Sequence, residues 1–197
     1  MEKFIDLTKT QTVLINLDSQ KERLHRSTKL LISLNISFDR FKALKRDKGV
    51  VGCGLSHLNI LSRVTSPTLI LEDDIEKTDY IKTNFHVPEA ADAVYLGISN
   101  HGYVRKQPIG FRGVVLATQA TPVWKRVFNM CSTHAILYLS EKYIDAARER
   151  IATCIEKGVA FDVGLAALHR HFNILTPNDP WFYQTEQPQF TNLSLET

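Results

Sequence analysis

Cysteine is scarce in this chain of 197 residues, and its three copies, Cys53, Cys131 and Cys154, are odd in number and far apart. That excludes a disulfide framework and a clustered-cysteine zinc site, and it suits free thiols in a reducing compartment. Long apolar runs are missing too. No stretch approaches the roughly 20 residues of a membrane-spanning helix. The opening Met1-Glu2-Lys3-Phe4-Ile5-Asp6 carries charge where an export leader needs an apolar core, so the expectation is a soluble, cytoplasmic protein without a transmembrane segment. Nor is there a block of like charge. The 24 Lys and Arg residues against 21 Asp and Glu leave a net charge of +3 spread along the chain. This suits a phosphate-bearing ligand, and with no recognisable DNA- or RNA-binding motif it makes nucleic acid an unexpected partner. Internal repeats and linkers are absent, so one domain over residues 1–197 is expected.

What is present is ordinary globular material, 44% hydrophobic and 23% charged, enough to build a buried core. Thr12 to Leu17 is an apolar run of strand type. Ser19 with Glu22 three residues later forms a capping box, and Leu24, Leu31 and Leu34 recur at helical spacing until Asn35 closes the segment. Strand, turn and helix in that order open a parallel α/β sheet. Ile36 to Leu44 reads as a second strand, and Lys45 to Gly49 as a charged turn. A helix then starts at Gly52, whose glycines allow close backbone approach, with Leu55, Leu58 and Leu61 on its apolar face. Later strands are expected at 93–97, 113–117, 134–139 and 173–175. A helix capped by Ser140 and ended by Gly158 carries Ile144, Ala147, Ile151 and Cys154, and a shorter one begins near Phe161. Residues 99–111 and 118–129 read as irregular, and the tail from Pro177 is rich in proline, glutamine and aromatics.

The chemistry concentrates in Ser66-Pro67-Thr68-Leu69-Ile70-Leu71-Glu72-Asp73-Asp74-Ile75. An apolar strand that ends in three consecutive carboxylates delivers negative charge to the carboxyl edge of the sheet, where open α/β sheets bind their ligands. Adjacent anions repel unless they are hydrated or meet a cation, and oxygen-only ligands favour Mg²⁺ or Mn²⁺ over zinc. A solvated junction near a helix start explains the same residues without any ion.

Four segments together resemble glycosyltransferase family 25, the group that includes lipooligosaccharide and collagen galactosyltransferases. They are Ile15-Asn16-Leu17-Asp18 with Arg23, Gly52-Cys53-Gly54-Leu55-Ser56-His57, Leu71-Glu72-Asp73-Asp74, and Cys131-Ser132-Thr133-His134-Ala135. The resemblance runs from about Thr12 to Ser194 when Asp162 and Pro180 to Gln184 are counted. It implies an α/β fold of the GT-A nucleotide-diphosphosugar transferase type, with a mostly parallel central sheet flanked by helices. It further implies a UDP-sugar donor, a glycan or other hydroxyl-bearing acceptor, a divalent cation (Mn²⁺ or Mg²⁺) and inverting transfer of a hexose such as galactose or glucose, of the kind used in lipopolysaccharide biosynthesis.

On that resemblance Glu72 and Asp74 hold the cation, with His134 as a further ligand, and Asp73 meets the ribose or a bound water. Asn16 and Asp18 lie near the nucleotide's base and ribose, Arg23 serves phosphate, and Ser56 and His57 approach the donor. Asp162 is the candidate base for the acceptor hydroxyl. Read from the residues alone, Asp162 is equally a helix cap, His57 and His134 are structural histidines, Arg23 is one half of an ion pair and Cys53 packs. Ser99 to Arg126 offers no acceptor motif. A catalytically inactive binding module of the same fold remains the alternative, whereas a two-metal phosphoester hydrolase lacks its second cluster of ligands.

Overall fold

The computed structural model describes residues 1–99, 101–102 and 114–185; most of the irregular stretch expected at 99–111, Gly113 and the tail beyond 185 fall outside these. The elements in chain order are β1 (Glu2–Asp6), β2 (Gln11–Asn16), α1 (Lys21–Ser33), β3 (Asp39–Lys42), α2 (Gly49–Leu61), β4 (Thr68–Glu72), β5 (Ile75–Lys77), β6 (Asn84–Pro88), β7 (Ala93–Tyr95), β8 (Leu116–Gln119), β9 (Trp124–Asn129), β10 (Ala135–Tyr138), α3 (Glu141–Glu156), α4 (Phe161–Leu168), β11 (Ile174–Pro177) and β12 (Phe182–Gln184).

Among the described residues one sheet of eight strands runs β3-β2-β4-β10-β7-β11-β9-β8, accompanied by two-stranded ribbons β1-β6 and β12-β5. The sheet is mixed, which corrects the expectation of a mostly parallel one. Pairs β2-β3, β2-β4 and β7-β11 are parallel, while β4-β10, β10-β7, β11-β9 and β9-β8 are antiparallel. The antiparallel insertion of β10 decides the layout of the site. It lays Thr133 and His134, which precede the strand, beside the carboxyl end of β4, where the Glu72 N–H donates to the His134 carbonyl at 2.9 Å.

Side-chain alternation splits the core between the two faces of this sheet. Val13, Ile15, Ile70, Tyr95 and Ile136 pack towards α3 and α4, together with Ile60 and Leu61 of α2. Leu14, Leu69, Leu71, Val94 and Leu137 pack the other way, on Leu31 of α1, Phe85 and Val87 of β6, and Trp181. Leu69, Ile70 and Leu71 are fully buried, each contributing about 1.5–3 kcal/mol, so β4 holds its terminal carboxylates on a rigid support.

Among the four helices of the described residues only α3 has a side-chain N-cap, while α1 and α3 are each followed by a residue in the left-handed region. Ser140 caps α3 by accepting from the Tyr143 N–H, and Gly158 follows the helix in the left-handed region at φ 63°. Asn35 does the same after α1 at φ 56°. The expected Ser19 capping box does not form. Gln20 caps α1 without a side-chain bond, because its N–H turns back to the Leu17 carbonyl and its own carbonyl accepts from Asn16 Nδ2, delaying the helix start. Helix α2 begins at Gly49, earlier than the glycine pattern suggested.

Residues 118–129 are not irregular: they hold the end of β8 and all of β9, joined as a hairpin. Basic residues disguised this strand. Lys125 is buried with its ammonium donating to the Asn178 carbonyl at 3.3 Å, and the Arg126 guanidinium donates to the Ile174 carbonyl. Ribbon β1-β6 was not anticipated either. No helix among the described residues is long and apolar enough to cross a membrane.

Candidate functional site

Three parallel strands, β3, β2 and β4, end at the same edge, and the loops that leave them frame a cleft of about 370 Å³. Its floor carries Asn16, Glu72, Asp73 and Asp74; Arg23 and Cys53 stand on its sides. The β3–α2 loop contributes Lys45, Arg46 and Asp47, and the first turn of α2 contributes Gly49 and Gly52. A helix N-terminus beside basic side chains favours an anionic ligand.

The three adjacent carboxylates face three environments. Glu72 turns towards α2. Its Oε1 accepts from Thr133 Oγ1 at 2.7 Å, meets His57 Nε2 at 3.2 Å and lies 3.8 Å from Cys53 Sγ. Burial pushes its acidity the wrong way, but the His57 hydrogen bond and charge, with Thr133, outweigh this and hold the carboxyl below its usual range. Asp73 turns towards α1, where Oδ2 accepts from Asn16 Nδ2 at 2.6 Å and Oδ1 lies 3.6 Å from Arg23 Nη1. Burial raises its pKa against the pull of Asn16 and Arg23. Asp74 sits between the two. Burial first, then the Glu72 charge, push it up to about 6, with Arg23 3.8 Å away and Gln184 Nε2 at 3.3 Å acting in the opposite direction.

The C-terminal ribbon completes this turn. Thr185 donates its N–H to the Asp74 carbonyl at 2.9 Å, and β12 lies antiparallel to β5, which follows Asp74 directly. Asn16 is equally tied down. It is buried, donates to Asp73 and to the Gln20 carbonyl, and accepts from Arg40 Nη2 at 2.8 Å.

The remaining expected site residues are placed differently. Asp18 is half-exposed, its carboxylate shared by Lys42 at 2.5 Å and Arg40 at 2.7 Å, which hold its pKa below the usual value. Ser56 is buried behind the cleft wall. Its hydroxyl donates to the Gly52 carbonyl and accepts from the Leu44 N–H at 2.9 Å, stitching the β3–α2 loop to α2. His57 is also buried, with Nε2 on Glu72, no hydrogen-bond partner for Nδ1, and its ring 4.9 Å from that of Phe161. His134 is buried over Gly97, with Nδ1 3.2 Å from Ser132 Oγ, and burial lowers its pKa. It does not line the cleft.

Asp162 is not the cap of α4, a position held by Ala160; it stands in the first turn and accepts from the Val163 N–H at 2.8 Å. Burial and then the Val163 bond act on its carboxyl in opposite senses, and with the Glu72 charge the result is a raised pKa. The same charges reach Cys53, whose thiol is pushed far up by burial and by Glu72, Asp74 and Asp162.

The set Glu72, Asp74 and His134 is therefore not gathered at one point. Among the described residues, the potential ligand atoms lying within 4.8 Å of one another belong to Cys53, His57 and Glu72. Cys53 and His57 are four apart on one face of α2, a spacing the sequence displays, but their meeting with Glu72 depends on the packing of α2 over β4. Their mutual hydrogen bonds account for the cluster. For a hard cation the oxygens of Asp73 and Asp74 are the suitable donors, and the Arg23 guanidinium already stands between them as a stand-in positive charge. A larger groove of about 510 Å³ lies elsewhere, against Phe85, Trp124 and Trp181, whose rings pack on one another.

No protein-family model matches the chain, and no curated protein does. Among solved structures it is similar to the nucleoside-diphosphate-sugar pyrophosphorylase from Vibrio cholerae RC9, at 12% identity and a TM-score of 0.43, over 86% of this chain and 73% of that one. It is also similar to the CTP:phosphocholine cytidylyltransferase from Streptococcus pneumoniae, at 6% identity and a TM-score of 0.40, over 89% of this chain and 92% of that one. Likenesses of this size carry no argument about activity.

Proposed function

We propose that this protein is an inverting glycosyltransferase that moves a hexose from a UDP-sugar to a hydroxyl group of a glycan or similar acceptor, with a divalent cation at Asp73 and Asp74. One observation supports the reading above the others. The four segments that resemble glycosyltransferase family 25 lie far apart in the chain, yet they converge on the end of β4: Asn16 on Asp73, His57 and Thr133 on Glu72, and Arg23 against both aspartates.

Each group then has a physical task. The basic loop at Lys45 and Arg46, with the N-terminal turn of α2, receives the diphosphate; Asn16 and its neighbours on β2 face the nucleoside. Mn²⁺ or Mg²⁺, when bound, neutralises the negative charge that develops on the departing diphosphate. Glu72 is the fixed anion of the cleft floor. Anchored by His57 and Thr133, it orients the turn that presents Asp73 and Asp74, a change from the ligand role expected of it from the resemblance.

The acceptor oxygen forms its bond to the anomeric carbon as the bond from that carbon to the UDP oxygen breaks. Asp162 takes the acceptor proton. Its pKa, raised by burial, makes it a stronger base than an exposed aspartate.

The test is turnover of UDP-galactose and UDP-glucose, read as UDP release with and without sugar acceptors. Wild-type protein releases UDP in Mn²⁺, and Asp162→Asn lowers the rate at least about a hundredfold while UDP affinity stays within about threefold. Equal rates in wild type and variant would remove Asp162 from the chemistry. Release from neither donor would argue against the transferase reading.

A further inference from the structure

The groove of about 510 Å³ beside Trp124 and Trp181 has no part in the donor chemistry, yet the topology sets it on the same edge of the sheet as the carboxylate cleft. Strand β11 is parallel to β7, and β10 is antiparallel to both β7 and β4, so β4 and β11 point the same way. Their carboxyl ends, Glu72 in the cleft and Pro177 in the groove, lie three strand spacings apart, or about 14 Å. The β12-β5 ribbon bridges that gap. Phe182 seats it on Gly97, just beyond β7. Thr185 holds the Asp74 carbonyl at one end of the ribbon, and Trp181 lies in the groove at the other, four residues or about 13 Å away.

The lining of the groove indicates its occupant. Phe85, Trp124 and Trp181 form the floor, with ring centroids 4.7–5.8 Å apart. Trp124 Nε1 donates to the His86 carbonyl at 3.0 Å, and the Asn178 amide is held between the Pro122 carbonyl at 2.7 Å and Gln119 Nε2 at 2.9 Å, so floor and wall are fixed before any ligand arrives. Tyr80 adds a ring that is 58% exposed, and Asn84, His86 and Asp179 present exposed amide, imidazole and carboxylate groups along the groove. Rings among planar polar groups match a pyranose, which offers C–H faces to the rings and hydroxyls to the polar side chains. A phosphate is disfavoured, because Glu2 and Asp179 offset Lys82. We infer that this groove holds the distal end of an oligosaccharide acceptor whose terminal hydroxyl reaches the carboxylate cleft. The inference rests on the transferase reading and deepens it: the separation of roughly 13 Å makes the acceptor a chain of about three pyranose units or more.

Trp124 and Trp181 are the two tryptophans of the chain, so intrinsic tryptophan fluorescence reads the groove directly. The experiment titrates neutral hexose oligomers, β1,4-glucosyl and β1,4-galactosyl from monosaccharide to hexasaccharide, into wild type, Tyr80→Ala and Asp179→Ala without donor. Wild type shows a saturable change that is at least about tenfold tighter for the hexasaccharide than for the monosaccharide, and each substitution weakens it about three- to tenfold. In UDP-release assays the advantage of a tetrasaccharide over a monosaccharide acceptor in kcat/KM shrinks in both variants. Both substituted side chains are exposed, so their loss leaves the core intact. No fluorescence change with any oligomer, an affinity that does not rise with length, or one that neither substitution alters overturns the groove as a glycan site and leaves the donor cleft standing, since UDP binding is measured apart. Oligomer binding in the groove without UDP release from any donor upholds the glycan site and overturns the transferase reading instead.

Discussion

At the scale of residues, three adjacent carboxylates acquire three different chemistries because each meets partners from a different part of the chain. Glu72 is held ionised by His57 and Thr133, Asp73 is fixed by Asn16, and Asp74 is left as the most weakly acidic of the group, near 6. A cation must displace any proton from Asp74, so Mn²⁺ affinity measured without nucleotide falls about tenfold per pH unit below about 6 and levels off above 7. Asp74→Asn removes this pH dependence together with most of the binding, and leaves the thermal midpoint unchanged or higher, since a buried carboxylate carries a desolvation penalty that an amide avoids. A pH-independent Mn²⁺ affinity in wild type would detach the ion from Asp74. The cluster itself was legible in the sequence as charge at the end of an apolar strand. Its division was not, because the residues that divide it stand at 16, 23, 57, 133 and 184.

At the scale of elements, α2 and the loop before it form one wall of the cleft, and their contact depends on a missing side chain. A Cβ on Gly52 would lie 2.2 Å from the Leu44 carbonyl oxygen, whereas one on Gly49, in the same helix, would meet nothing within 4 Å. Alanine is the better helix former at both positions by about 1 kcal/mol. Gly49→Ala is accordingly neutral or stabilising by up to about 1 kcal/mol, while Gly52→Ala loses about 1–3 kcal/mol in urea unfolding because backbone must move. Equal effects at the two sites would show that the loop yields freely. The close approach was foreseeable from the glycines, and α1, α2, α3 and β4 were visible from apolar periodicity. The β8-β9 hairpin was not. Its strands carry Lys125 and Arg126 inward to backbone carbonyls, so tertiary hydrogen bonds override the polar pattern that reads as loop.

At the scale of the whole molecule, the mixed sheet explains why a parallel pattern was expected and why it was incomplete. The first half of the chain does build parallel β3-β2-β4, and the cleft opens where those strands end. The second half enters antiparallel through β10, a direction that apolar runs alone cannot report, and by doing so brings Thr133 to Glu72 and closes the back of the site. Strand direction thus joins segments over a hundred residues apart around one charged turn. The measurement that tests this account most directly is calorimetric titration of UDP, against GDP and CDP, in Mn²⁺ and again in EDTA. The account predicts selective UDP binding in Mn²⁺ that weakens at least about tenfold in EDTA; absence of UDP binding in both conditions, or equal affinity in the two, would contradict it.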